Sequence, residues 1–289
     1  CRQHGKCTFV DSCASGGGRN DIESMRRGFP LMRSDYDRTT SGMRLSQTWG
    51  FCKWIPFHGS ATKETKKQLE GTRGKAPDLY VTRASLLPVW NWGARVTHDP
   101  ACEIEGYRRN IGLWRSVSDL LTKDYYTLSQ WSSPTNGTGW MAFSYHDPAK
   151  DTAIATVFRR ESASNDTFVV RLPFVTSGKT YVVTDDDHPD ATRLLTGEAL
   201  CSGIELKLPT PRSSALLRIS PRDKARLIRP LNGLCNSIPL KGDVNEKRLN
   251  RLKDLYRALE IPETRFHDVV SENAGIELVD VSRIFPLFH

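Results

Sequence analysis

Nowhere in the 289 residues does an uninterrupted apolar run approach the roughly 20 residues that a membrane-spanning helix requires, so no membrane partner is expected. The seven cysteines, at positions 1, 7, 13, 52, 102, 201 and 235, never form a C-x-x-C pair, and the seven histidines never fall in an H-E-x-x-H pattern. Those absences leave no metal site to propose and favour free thiols over a disulfide framework. Cofactor signatures are missing as well. Neither G-x-x-x-x-G-K-[ST] nor G-x-G-x-x-G occurs, which sets nucleotide binding aside. The chain opens at Cys1 without an initiator Met or an apolar signal core, so upstream sequence is expected to be missing; the compartment stays open, with the cytoplasm favoured.

What is present suffices for a globular core. Hydrophobic residues make up 38%, and 41 Lys+Arg against 33 Asp+Glu give a formal charge of +8. The basic residues are dispersed and no nucleic-acid motif accompanies them, so no nucleic-acid partner is expected. Asn136-Gly137-Thr138 and Asn165-Asp166-Thr167 fit the glycosylation pattern, which has meaning only in a secretory compartment.

The chain changes character twice. Residues 1–125 alternate Gly, Trp and Ser/Thr turn signals with short apolar pieces. Thr8-Phe9-Val10 reads as a buried strand running into a Gly-rich loop, and Asn20-Asp21 can cap a helix through Arg27 with Glu23 in its first turn. Strand, loop and helix in that order form a βα unit. A helix from about Cys102 to Leu121 follows from the spacing of Ile104, Tyr107, Ile111, Trp114, Val117 and Leu121. Residues 126–220 shift to period two, with strands over 140–145, 153–158, 167–172, 181–184, 204–208 and 215–219, as in a small antiparallel sandwich. A boundary is expected near residues 124–138. Residues 221–289 form a charge-rich tail in which 244–259 has the periodicity of an amphipathic helix.

Asp11 to Asp35 is the most informative stretch. Three consecutive glycines between a strand and a helix permit close backbone approach to a ligand. Taken whole, Asp11-Ser12-Cys13-Ala14-Ser15-Gly16-Gly17-Gly18-Arg19-Asn20-Asp21 followed by Leu31-Met32-Arg33-Ser34-Asp35 resembles a signature of the family 36 glycoside hydrolases, the α-galactosidases or melibiases, with 22 positions from Cys13 to Asp35. The segment Gln47 to Gly59, the segment Asp78 to Arg83 and the passage from Lys123 to Arg160 are similar to later parts of that family, the second of these to a strand. The likeness covers about residues 7–220.

That resemblance implies the C-terminal half of a (β/α)8 TIM barrel, then an antiparallel β-sandwich, with the helical tail as an addition. It implies retaining hydrolysis of terminal α-D-galactosides by two carboxylates about 5–5.5 Å apart. Asp35 takes the acid/base position. Cys13, Ser15, Gly16, Gly17, Arg19 and His58 would line or reach the galactose subsite, and one of Trp49, Trp54, Trp90 and Trp92 would stack on a sugar face. Arg19 and Arg33 also read as ion-pair residues, and His58 as a core or surface histidine. The family's nucleophilic Asp belongs upstream of the Gly-rich loop, so this chain is expected to lack it, and to be inactive and poorly soluble by itself. No cofactor is implied; an α-galactoside oligosaccharide is the implied partner, and the full-length enzyme could be a homo-oligomer. The same residues leave open an α-N-acetylgalactosaminidase, a galactosyl-transferring raffinose or stachyose synthase, and a non-catalytic carbohydrate-binding or scaffold protein.

Overall fold

A computed structural model describes residues 10–12, 14–18, 20–55, 57–62, 76–91, 103–189 and 192–222, the side chains of Ala14 and Ser15 excepted. The amphipathic helix read over 244–259, and nearly all of the tail with it, lies outside the described residues, as does most of the strand read at 8–10. By contacts the chain divides into two compact units, one of residues 1–179 and 183–219, the other of 180–182 and 220–289. Of the second unit, only 180–182 and 220–222 are described.

The first third of the chain is a run of short extended segments and short helices. Asp11 bridges Phe29 in parallel. The Gly59 N–H donates to Pro30 C=O (3.0 Å) and the Gly59 C=O accepts from Arg33 N–H (3.1 Å), a same-direction pairing with the segment that follows Phe29. Strand β1 (Gly59–Ala61) then pairs in parallel with β2 (Val89–Asn91). Four extended segments therefore adjoin one another in chain order and in one direction. Between them come α1 (Ala14–Gly17), α2 (Ile22–Arg27), α3 (Ser41–Phe51) and α4 (Leu79–Ala84).

Local chemistry explains the helices. Asp21 caps α2 by accepting from Ser24 N–H at 2.8 Å, as its position before Glu23 leads one to expect. Thr40 caps α3 in the same way through Met43 N–H. The segment 78–83, read from the sequence as a strand, is instead helix α4: Asp78 Oδ1 accepts from Val81 N–H at 2.8 Å, and Tyr80 to Ala84 are all buried. A cap residue followed by a helix buried at every position after Leu79 gives no amphipathic stripe, and its Tyr-Val-Thr content mimics a strand. The next helix, α5, covers Ile104–Arg115 and stops at Ser116, short of the expected Leu121; Val117, Leu120 and Leu121 follow in turns yet still face the core.

The later residues form a six-stranded sheet in the order β3-β4-β5-β10-β7-β8, from β3 (Asp124–Thr127), β4 (Trp140–Asp147), β5 (Thr152–Arg159), β7 (Thr180–Asp185), β8 (Arg193–Thr196) and β10 (Ser213–Pro221). A separate ribbon pairs β6 (Thr167–Val170) with β9 (Ile204–Lys207), and α6 (Gly197–Ser202) precedes β9. A small antiparallel sandwich was expected; a six-stranded sheet with a two-stranded ribbon is observed. Alternation along β4 explains the layering. Met141, Phe143 and Tyr145 point to the helices, packing with Leu45, Tyr80 and Phe158 or with Leu86, Val117 and Leu121. Trp140, on the other face, stacks on Phe168 of the ribbon with centroids 5.5 Å apart. Truncating the fully buried Phe158 to Ala would cost about 3–5 kcal/mol.

Candidate active site

The site is built where the first two parallel segments end. After 10–12 the chain enters the Gly-rich loop with Gly16 at φ +69° and Gly17 at φ +96°, conformations that side-chain-bearing residues rarely adopt. The second segment ends at Ser34, whose hydroxyl accepts from Tyr36 N–H at 3.2 Å and starts a 3-10 turn over Asp35–Arg38. The loop and the turn touch. A Cβ on Gly16 would lie 2.9 Å from Asp35 Oδ2, and one on Gly17 would lie 2.5 Å from Arg33 O. Asn20 Nδ2 donates to the same Arg33 carbonyl at 2.6 Å, which ties the far end of the loop to the base of the turn.

Asp35 projects outward. Its side chain is 65% exposed, and the ion pair it makes among the described residues is with Arg38, at 3.9 Å. Asp37, two residues on, is the reverse. Its carboxylate is fully buried and accepts from Arg33 Nε (2.8 Å) and Nη2 (3.3 Å). Arg33 also donates to Arg44 O at 2.8 Å and meets His58 Nε2 at 3.2 Å. Arg44, equally buried, reaches Asp37 O, Ala61 O and Ser41 Oγ. A buried guanidinium is tolerable only with a paired charge and its remaining donors satisfied, and for Arg33 the Asp37 carboxylate, the Arg44 carbonyl and the His58 imidazole supply the acceptors.

His58 belongs to this buried layer. The Ile55 carbonyl, 2.8 Å from Nδ1, can only accept, so Nδ1 carries the proton and Nε2 is left to accept from Arg33. Burial, reinforced by the Arg33 charge, lowers its pKa to about 3, so the ring stays neutral. Cys52 Sγ lies 3.7 Å from His58 Nε2 and 3.4 Å from Tyr145 OH, and burial pushes that thiol up to about 11.

The residues singled out from sequence thus separate into groups. Gly16, Gly17 and Asp35 come together at the surface. Arg33 takes the ion-pair role, and His58 sits behind it in the interior with both ring nitrogens engaged. Cys13, Arg19, Trp92 and the side chain of Ser15 lie outside what is described. Trp49 is half-buried and donates to Ser129 O at 2.9 Å, Trp54 is exposed, and Trp90 is buried. Sequence reasoning gave Asn20 only a capping role and passed over Asp37, Arg44 and Gln47, whose Nε2 donates to Ser34 Oγ at 3.2 Å. The one available signal was the Arg33–Asp37 spacing of four. Among the described residues, no group of three or more His, Cys, Asp or Glu side chains is disposed to hold a metal ion, and no helix is long and apolar enough to cross a membrane.

These elements define a mixed α/β protein with an antiparallel sheet and few, short helices. Its fold is similar to the galactosidase domain of α-galactosidase–sucrose kinase AgaSK (18% identity, TM-score 0.51), to the α-galactosidase from Lactobacillus brevis (14%, 0.53) and to the GH36 α-galactosidase AgaB from Geobacillus stearothermophilus (18%, 0.53). Each match covers 72% of this chain and 28% of the other, so the chain spans well under a third of the proteins it resembles. At these identities the likeness is one of fold. No family model and no curated protein matches the chain.

Proposed function

We propose that the chain carries part of the machinery of a retaining α-galactosidase, with Asp35 as general acid/base and the Gly16–Gly17 backbone receiving the galactose ring beside it. The observation that carries this reading is the approach of a positive-φ glycine to the Asp35 carboxylate, at the ends of parallel segments that run in chain order. Side-by-side parallel segments with intervening helices are what half of a (β/α)8 barrel would contain, and reactive groups of such barrels gather at the C-terminal ends of the strands. Residues 1–125 are read as that barrel part, 126–220 as the β-domain and 221–289 as an extension. Cys13, Ser15 and Arg19 fall in the same loop and are assigned to the sugar subsite with it. His58 is assigned to the layer beneath. The nucleophilic carboxylate is not among the residues of this chain that the reading uses.

The test is ligand-observed NMR of the chain with methyl α-D-galactoside and methyl α-D-glucoside. Contact with the galactoside in preference to the glucoside is expected, retained in Asp35→Asn and reduced in Gly16→Ala. No contact, or an equal response to both sugars, overturns the reading. On this reading the chain does not turn over an aryl α-galactoside; turnover lost in Asp35→Asn would place both carboxylates here.

A non-catalytic carbohydrate-binding role is the second reading. Its support is the exposure of Asp35: a general acid working at neutral pH needs burial or a neighbouring carboxylate, and the charge beside this one is Arg38. Sugar contact that persists when the chain is joined to a competent upstream barrel half, with no turnover, would favour it.

A further inference from the structure

We infer that Arg33 is a positioning residue, holding the Asp35 turn and the Gly-rich loop in one geometry from beneath the surface. The inference rests on the reading of Asp35 and Gly16 above, and it gives the ion-pair residue Arg33 a role in placing them.

One residue makes both attachments. Through its backbone, the Arg33 carbonyl takes the Asn20 amide at 2.6 Å and lies where a Gly17 side chain would begin, which presses the loop against the segment. Through its side chain, Arg33 grips the Asp37 carboxylate with two hydrogen bonds, fixing the turn that starts at Asp35. Its remaining donors end on Arg44 O of α3 and on His58 Nε2 just before β1. Asp35 itself is exposed, and its ion pair among the described residues is a long contact to Arg38. The orientation of Asp35 toward Gly16 therefore comes from the backbone of its turn, and that backbone is set by the buried pair. Geometry held by a locked supporting layer is what a reactive carboxylate needs.

A stabilising role alone would not require this arrangement, because buried ion pairs exchanged for apolar residues of similar volume often leave stability unchanged or raised. That fact supplies the test. The double variant Arg33→Met/Asp37→Leu removes both partners of the pair at once and leaves the net charge of the cluster unchanged. In the full chain, the Gly16 and Gly17 amide resonances are followed through a titration from pH 7 to 3. The Asp35 share is identified by its disappearance in Asp35→Asn.

In the double variant, with thermal unfolding and sheet resonances such as Ala155 unchanged, the Asp35-dependent excursion at Gly16 should fall roughly threefold or more as the two groups separate and water screens them. Arg33→Lys, which keeps the charge but not the two-pronged grip, should fall between. An excursion at full size in a folded double variant overturns the inference. Should the double variant unfold, Arg33→Lys decides alone: an unchanged excursion overturns the inference, and a reduced one beside unchanged sheet resonances upholds it. Methyl α-D-galactoside added to the same wild-type sample separates the two ideas, since absence of sugar-induced shifts would sink the functional reading while the titration still judges Arg33.

Discussion

Asp35 and Asp37 sit on one turn with opposite surroundings, the first with a side chain 65% exposed, the second fully buried in the grip of Arg33. Their carboxamide variants should diverge accordingly. Asp37→Asn leaves the Arg33 guanidinium buried without its counter-charge and should cost about 3–5 kcal/mol in a urea titration. Asp35→Asn should stay within about 0.5 kcal/mol of wild type. Equal losses at the two positions would contradict the burial described.

The neutrality of His58 has a pH signature. Its pKa falls from 6.5 to about 3 because burial and the Arg33 charge disfavour the protonated ring. Between those values an unfolded chain takes up a proton that the folded chain refuses, so stability should decline as pH drops through that window. Urea midpoints at pH 7 and pH 4.5 measure the decline. It should be smaller in His58→Gln, which keeps a neutral acceptor for Arg33, and 15N chemical shifts at pH 5 should report the Nδ1–H neutral ring.

Two glycines predict opposite signs for one substitution. Gly17→Ala would place a methyl 2.5 Å from Arg33 O at φ +96° and should destabilise by about 2–4 kcal/mol. Gly50, inside α3, has nothing within 4 Å of the same methyl, and Gly50→Ala should stabilise by roughly 0.5–1 kcal/mol. Thermal melts of the two variants against wild type check both.

Cysteine reactivity offers a fourth check. Cys52 has a thiol raised to about 11 by burial, whereas Cys201 is exposed. Because thiolate is the reactive form, iodoacetamide at pH 8 should label Cys201 at least about tenfold faster than Cys52 when peptides are followed by mass spectrometry. Tyr145→Phe should not close that gap, since desolvation is the leading cause.

Much of the sheet was legible because β4, β5, β7 and β10 alternate or run apolar between turn clusters. The two strands that escaped notice as strands, β3 and β8, end the sheet and are short, with Asp124 or Arg193 at their starts; edge strands carry little hydrophobic signal. The Asp21 cap was legible, while Asp78 was obscured by the strand-like residues behind it. At the site, the Gly-rich loop could be picked out because close backbone approach demands glycine, whereas Asp35 was singled out only by the resemblance of its motif. Of the layer below, the ion-pair role of Arg33 was read from sequence, but its burial and its partners were not. Arg33, Arg44 and Asp37 carry charges whose ordinary place is the surface, and only the fold gathers carbonyls around them. A histidine such as His58 gives no sequence sign of burial at all.

Helix α3 has one side on the Arg33 and Asp37 cluster, and on its other side Thr48 O accepts from Tyr125 OH, Trp49 donates to Ser129 O and Ser46 Oγ accepts from Trp131. Those fasteners reach across residues 124–138, the stretch where composition changes. Recombination between related genes at that point would exchange one side of each fastener without the other. Chimeras joined there should lose their melting cooperativity unless the partners of Tyr125, Ser129 and Trp131 travel with them.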